Sequence, residues 1–361
     1  MGDVRLSRCY YHCGQCGTGS VPWDATLHLT AARLTPAAAE VTCLVGIQTS
    51  FAEASERTLF KMAGLRVSES TVERITEATG QRVVERLEAK QTFGEDHSWE
   101  WQHDATGKTC AYVSLDATGV RQQGPHAEKA DGRMAYVGML YNPRSAAQTL
   151  ERRKASTPHQ VRYLAGFYEL DELGLELRRQ AAQVGWDDAD QQIALSDGGN
   201  GLEDFFRKNF PRATCILDFW HAREHLVELA NSFWGEGTEA NREWLDTQAH
   251  RLKHEGGRAV LTGLESLDLS DRNAGVRDDC QSHINYFRNH VHRMDYPAYV
   301  ARGWQIGSGP VESACKTVIG NRLKGGGMRW GSDGANAVCH LRALYLSEHS
   351  QWEAFWHDHP N

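Results

Sequence analysis

Four carboxylates stand where the surrounding pattern gives an acid little structural work. Asp116 in YVSLDATGV, Asp197 in IALSDGG and Asp218 in ATCILDFW each close a strand-like apolar run. A buried strand ends on a charge when a cap, an ion or a metal uses it. Glu312 is the lone acid of WQIGSGPVESACKTVIGNRLKGGGMRW, and residues 302–330 set five cations, Arg302, Lys316, Arg322, Lys324 and Arg329, against that one anion. Two or three carboxylates suit Mg²⁺, and two such ions about 4 Å apart can activate a water and stabilise a leaving oxygen. Phosphodiester chemistry also needs a cationic surface beside the acids. Taken alone, Glu312 reads as a first-turn acid favoured by the helix dipole. Together with the strand-end acids and its cationic neighbours, it points to a site for metal and phosphate.

The elements that must position these groups form an alternating series. CAYVSLDATGV predicts a strand stopping at Asp116, MAYVGMLYN (134–142) a second, and a short third is expected near 149–155 or 160–164. An amphipathic helix follows over 167–185, then the strand ending at Asp197, the helix LEDFFRKNF, the strand ending at Asp218 and the helix HAREHLVELANSFW. This order predicts an α/β layer with mixed sheet pairing, and acids at the carboxyl ends of neighbouring parallel strands meet in one crevice. Residues 222–303 predict a helical insertion. In GSGPVESACKTVIGNRLK, Ser308 is a candidate N-cap and Pro310 suits the first turn. Val311, Cys315, Val318, Ile319 and Leu323 make a buried stripe with Glu312 at its edge.

Upstream, residues 51–90 predict two helices, the first ended by Gly64 and the second opening with Ser70 and Glu73 in capping-box spacing. Such a pair is either a helix-turn-helix that reads DNA or a plain packing unit. Cys13 and Cys16 in CGQCG have the tight turn of a zinc knuckle, although a structural zinc site needs four ligands, usually from two such pairs.

Composition sets the outer limits. The chain has 361 residues, 40% hydrophobic and 24% charged, which is ordinary for a globular protein. A net charge of −8 makes any polyanion site a local patch. Nine cysteines, mostly single and in apolar contexts, read as reduced thiols. No apolar run reaches membrane-spanning length and MGDVRLSRCYYHC lacks a signal-peptide core, so a cytoplasmic protein with no membrane partner is expected. GSGP has the wrong spacing for a serine nucleophile elbow, which disfavours a serine hydrolase.

The order of YVSLDATGV, IALSDGGNGL, ILDFWHAREHL and GWQIGSGPVESACKTVIGNRLKGGGMRW resembles that of bacterial insertion-sequence transposases of the ISKra type. The likeness covers about residues 3–348, including RCYYHCGQCGTGSVPWD and GANAVCHLRALYLS. These proteins belong to the group with a ribonuclease H-like core and an Asp, Asp, Glu triad. The resemblance implies Asp116, Asp197 and Glu312 as catalytic ligands of two Mg²⁺, with Mn²⁺ a possible substitute. Asp218 and His221 match an Asp-x-x-His element that positions DNA or the active site, and Asp218 is also a rival for the second metal position. Lys316, Arg322, Lys324 and Arg329 would hold backbone phosphates. Trp330 would stack on a base, burial being its simpler reading.

The implied plan is a partial zinc-ribbon-like segment (1–30), a helical region with a candidate helix-turn-helix (31–105), the first part of the core (106–221), the helical insertion (222–303), and core completion with the glutamate helix and basic C-terminal region (304–361). Relatives carry a further cysteine pair upstream, so this chain is expected to hold half of that ribbon. The implied activity is cleavage at transposon ends, including their terminal inverted repeats, then strand transfer into target DNA by a homo-oligomer at the nucleoid. The alternatives are an inactive DNA-binding remnant and a ribonuclease H-like nuclease without strand transfer.

Overall fold

The structure is a computed structural model that describes residues 5–27, 29, 34–125, 128–143, 160–199 and 201–357. Near the N-terminus Tyr11–His12 (β1) pairs antiparallel with Gly19–Ser20 (β2), followed by Pro22–Thr26 (α1). Pro36–Gly46 (α2) starts on Thr35, whose side chain accepts from the Ala38 N–H. Phe51–Glu53 (α3) continues through a π-helical turn, Ala54–Thr58, into Leu59–Ala63 (α4), which Gly64 ends at φ 67°. Glu69–Glu88 (α5) follows from an N-cap at Ser68, so the expected Ser70 and Glu73 box lies inside the helix and does not cap it.

The central sheet has the order β5-β4-β3-β6-β7. Cys110–Val120 (β3) pairs antiparallel with Arg133–Tyr141 (β4), which pairs antiparallel with Val161–Gly166 (β5). Leu170–Gln183 (α6) leads to Gln191–Ser196 (β6), parallel to β3, and Leu202–Asn209 (α7) leads to Thr214–Leu217 (β7), parallel to β6. The molecule is thus a five-stranded mixed sheet flanked by helices. The third strand is the one near 160–164; the other candidate position, 149–155, lies outside the described residues.

Alternation along β3 divides two cores. Ala111, Val113 and Leu115 face Leu173 and Leu177 of α6 and Phe205 and Phe206 of α7. Cys110 and Tyr112 face the other layer. There lie Phe219–Trp234 (α8), Glu239–Glu255 (α9), Gly257–Glu265 (α10), Ala274–His290 (α11), Tyr296–Ala301 (α12) and Gly309–Ala314 (α13). The insertion is helical throughout its described elements, as its composition predicts. It is anchored to the sheet at the ends of β6 and β7: the buried Arg293 guanidinium donates to Ser196 Oγ (2.9 Å), and the Tyr296 hydroxyl donates to the Leu217 carbonyl (3.0 Å).

A second π-helical turn, Cys315–Gly320, follows α13 and runs into Asn321–Leu323 (α14); Ser332–Leu346 (α15) and His349–His357 (α16) complete the chain. α15 covers the β5 edge, where Ser347 Oγ accepts from the Tyr163 N–H (2.9 Å) and Asn336 Oδ1 from the Phe167 N–H (2.8 Å). Its opposite side meets α5 so closely that a Cβ on Gly80 would lie 2.2 Å from the Ala337 carbonyl oxygen. That contact occupies the buried face of α5. Its exposed face carries Glu69, Glu73, Glu85 and Glu88 against Arg74 and Arg82. α5 thus packs as a core helix through its buried face. Among the described residues no helix is long and apolar enough to cross a membrane.

Candidate active site

The sheet register aligns the three aspartates. Ser114 pairs with Leu195, and two residues further on Asp116 falls beside Asp197. Ser196 pairs with Leu217, and one residue further on Asp197 falls beside Asp218. Alternation places them on the face that holds Tyr112, Ile193 and Ile216, which is also the face holding Val311 and Cys315. The row follows from strand geometry: neighbouring parallel strands are about 4.8 Å apart, so residues at one level form a line across the sheet.

Asp116 differs from its expected position in one respect: β3 does not stop there but runs on to Val120, paired with β4. Its parallel pairing with β6 ends at Ser114, so Asp116 occupies the point where β3 loses one neighbour and keeps the other. It is half-buried, Oδ1 accepts from the Ala117 N–H (2.7 Å), and the Cys315 thiol donates to Oδ2 (3.4 Å). Burial raises its pKa above the usual carboxylate range, and the negative charges of Asp197 and Glu312 push it the same way. Burial likewise raises the Cys315 pKa, keeping the thiol as a donor. Asp197 follows β6 directly, its Oδ1 accepting from the Gly199 N–H (2.8 Å). Gly198 is required by close approach, since a Cβ there would lie 2.4 Å from the Tyr286 ring.

Asp218 is 2% exposed and fully engaged. It caps α8 by accepting from the Trp220 (3.1 Å) and His221 (3.2 Å) N–H groups, and Oδ1 also accepts from the Ser308 N–H (3.0 Å). A backbone bond from Phe219 N–H to the Ile306 carbonyl (2.9 Å) runs beside it. Ser308 makes no side-chain cap, contrary to its expected role; its hydroxyl donates to Glu312 Oε1 (2.8 Å). Glu312 is exposed, so this bond is what orients it. The chain of contacts Asp218, Ser308, Glu312 ties the acid row to the late helix and gives Asp218 a positioning role.

Asp197 and Glu312 lie close enough to Asp116 for their charges to act on it, but the three side chains do not touch. Among the described residues the triplet of potential ligand atoms within 4.8 Å of one another is His225, Glu228 and His283, not Asp116, Asp197 and Glu312. Among those residues no lysine or arginine forms an ion pair with Asp116, Asp197 or Glu312 either.

The expected cationic residues divide in two. Lys316, Lys324 and Arg329 are exposed, and Lys324 Nζ donates to Thr118 Oγ1 (2.7 Å) two residues beyond Asp116 on β3. Arg322 and Trp330 are buried and do not fit the DNA-contact role. The Arg322 guanidinium lies over Phe51 (4.5 Å) and Trp330 (4.7 Å), Nε donates to the Gly46 carbonyl (2.8 Å), and burial pushes its pKa down to about 10. Trp330 Nε1 donates to the Leu323 carbonyl (3.2 Å), and the Trp330 backbone bonds to Arg121 and Gln123 just beyond β3. This pair fastens the basic segment to α2, α3 and the sheet.

His221 is half-buried on α8, its Nδ1 3.3 Å from Glu224 and its ring beside His225 (5.1 Å between centroids). Cys13 and Cys16 flank the β1–β2 turn, with the Cys13 N–H bonded to the Thr18 carbonyl (2.8 Å). A hydrogen bond with Thr18 lowers the exposed Cys16 thiol to about 7. Sequence reasoning missed Ser308 and Cys315 as neighbours of the acids, although both lie four residues or fewer from Glu312 and flank its helix. No protein-family model matches the chain, and no curated protein shows significant similarity to it.

Proposed function

We propose that the chain is a metal-dependent DNA transposase of the Asp, Asp, Glu type, its sheet a ribonuclease H-like core of the ISKra kind. The observation that carries this reading is the acid row: Asp116 and Asp197 side by side on one face, with Glu312 delivered to it through Asp218 and Ser308. The donor set fits a hard divalent cation, because it is made of carboxylate oxygens, and burial, with the neighbouring charges of Asp197 and Glu312 adding to it, raises Asp116. Mg²⁺ held by Asp116, Asp197 and Glu312, or Mn²⁺ in its place, would supply water activation and charge neutralisation at the leaving oxygen.

The chain's own groups do the positioning. The Cys315 thiol and the Ala117 N–H fix Asp116, the Gly199 N–H fixes Asp197, and the Ser308 hydroxyl orients Glu312. Lys316, Lys324 and Arg329 lie exposed beside them to hold the DNA backbone. His221, next to Asp218, faces the insertion and serves its placement. In this reading the protein acts as a homo-oligomer on transposon ends and target DNA in the cytoplasm, and the Cys13 and Cys16 turn is half of a zinc ribbon.

The test is incubation with Mg²⁺ and DNA carrying the sequences that flank the gene, beside an Asp197→Asn control. Expected are metal-dependent nicks at the element ends and joined products, both lost in the variant. Binding without cutting would favour an inactive remnant, and cutting with no dependence on end sequence would favour a nuclease.

A further inference from the structure

The insertion carries a second group of ligand-type side chains, distinct in chemistry from the acid row. His225 and Glu228 lie three residues apart on α8, on one face of the helix, and His283 faces them from α11. His225 Nδ1 is 2.9 Å from His283 Nδ1, and His283 Nε2 is 3.8 Å from Glu228 Oε2. One ligand atom from each of the three lies within 4.8 Å of the others. Tetrahedral ligands with bonds near 2.1 Å stand about 3.4 Å apart, so small side-chain rotations close the set.

The surroundings hold the cluster in place. The Tyr286 ring stacks on His225 at 3.6 Å between centroids and packs against His290 at 4.7 Å. Two polar atoms in the same seam, His290 Nδ1 and the Tyr286 hydroxyl, are buried without a hydrogen-bond partner. His283 is largely covered, with its side chain 13% exposed, whereas that of Glu228 is 63% exposed, so a fourth position opens to solvent on the glutamate side. A simple histidine pair explains the short nitrogen contact but not the carboxylate facing it from the neighbouring turn.

We propose that His225, Glu228 and His283 bind one Zn²⁺-class ion that pins α8 to α11. Two imidazoles and a single carboxylate select a borderline transition metal over Mg²⁺, whose ligands are oxygens. Because Asp218 caps α8, an ion about two turns further along fixes the helix whose cap holds Ser308. With three protein ligands and a water in the open fourth position, the ion links the two helices whether or not the acid row cuts DNA.

The full-length protein, stripped with a chelator, is titrated with Co²⁺ and separately with Zn²⁺, and bound metal is counted by mass spectrometry. Expected is a visible ligand-field absorption from Co²⁺ that Zn²⁺ displaces, and a rise in Tm with Zn²⁺. Both effects should be lost in His283→Asn and weakened at least tenfold in Glu228→Gln, an exposed substitution that leaves the circular dichroism unchanged. A Cys13→Ser and Cys16→Ser double variant retains both. No absorption, absorption unchanged in His283→Asn and Glu228→Gln, or loss of absorption in the cysteine variant would each overturn the site.

Discussion

At the scale of single residues, Asp116 carries an electrostatic cost. A carboxylate whose folded pKa exceeds its unfolded value binds its proton more tightly in the folded state. Its ionisation therefore subtracts stability as the pH rises from the unfolded to the folded value, and the full deficit persists above that. Burial and the charges of Asp197 and Glu312 place Asp116 in this class. Asp116→Asn keeps an oxygen for the Ala117 N–H and removes the charge, so its Tm should exceed that of the parent at pH 7 to 8. The advantage should vanish in acid where both side chains are neutral. The same variant should lose Mg²⁺-dependent cleavage by at least 100-fold, and thermal melts across pH check the first part directly. Equal melts at all pH values would show that Asp116 bears no such burden. Residue types made the acids visible in the sequence, because a charge ending an apolar run is conspicuous. Arg322 was misleading for the opposite reason: its basic neighbours advertise a surface, while its acceptor, the Gly46 carbonyl, lies 276 residues away.

At the scale of elements, the decisive link joins a strand end to a helix start. Removing the Asp218 carboxylate takes away the α8 cap and leaves the buried Ser308 N–H without an acceptor. A lost cap costs about 1 kcal/mol and an orphaned buried donor about 1 to 3 kcal/mol, so Asp218→Ala should cost roughly 2 to 4 kcal/mol by denaturant melts. Cleavage should fall further than stability accounts for, because Glu312 loses its orientation while remaining chemically intact. A variant that melts like the parent would remove Asp218 from this role. Strands were legible from their apolar runs, and the insertion from its helical spacing. The continuation of β3 past Asp116 was not, since a strand that loses one of its two partners midway leaves no mark in composition. Nor was the cluster on α8 and α11 foreseen: His225 and His283 are 58 residues apart, and only packing of the two helices brings them together.

At the scale of the whole molecule, charge is segregated. A net −8 repels a polyanion, so in the proposed reading DNA is held by the exposed Lys316, Lys324 and Arg329. Each phosphate contact contributes about −0.9 to the slope of log affinity against log salt. Replacing Lys316 and Lys324 with Gln should therefore flatten that slope by about 2, measured by fluorescence anisotropy on duplex DNA between low and physiological salt. An unchanged slope would move the DNA surface elsewhere.

The packing of α15 between β5 and α5, together with the clamp of Arg322 by Phe51 and Trp330, means that segments near both ends of the chain complete each other. Arg342 on α15 donates to the Val318 carbonyl, and Arg322 beyond it to the Gly46 carbonyl. A loosened α15 would therefore unseat both the N-terminal helices and the segment that carries Glu312.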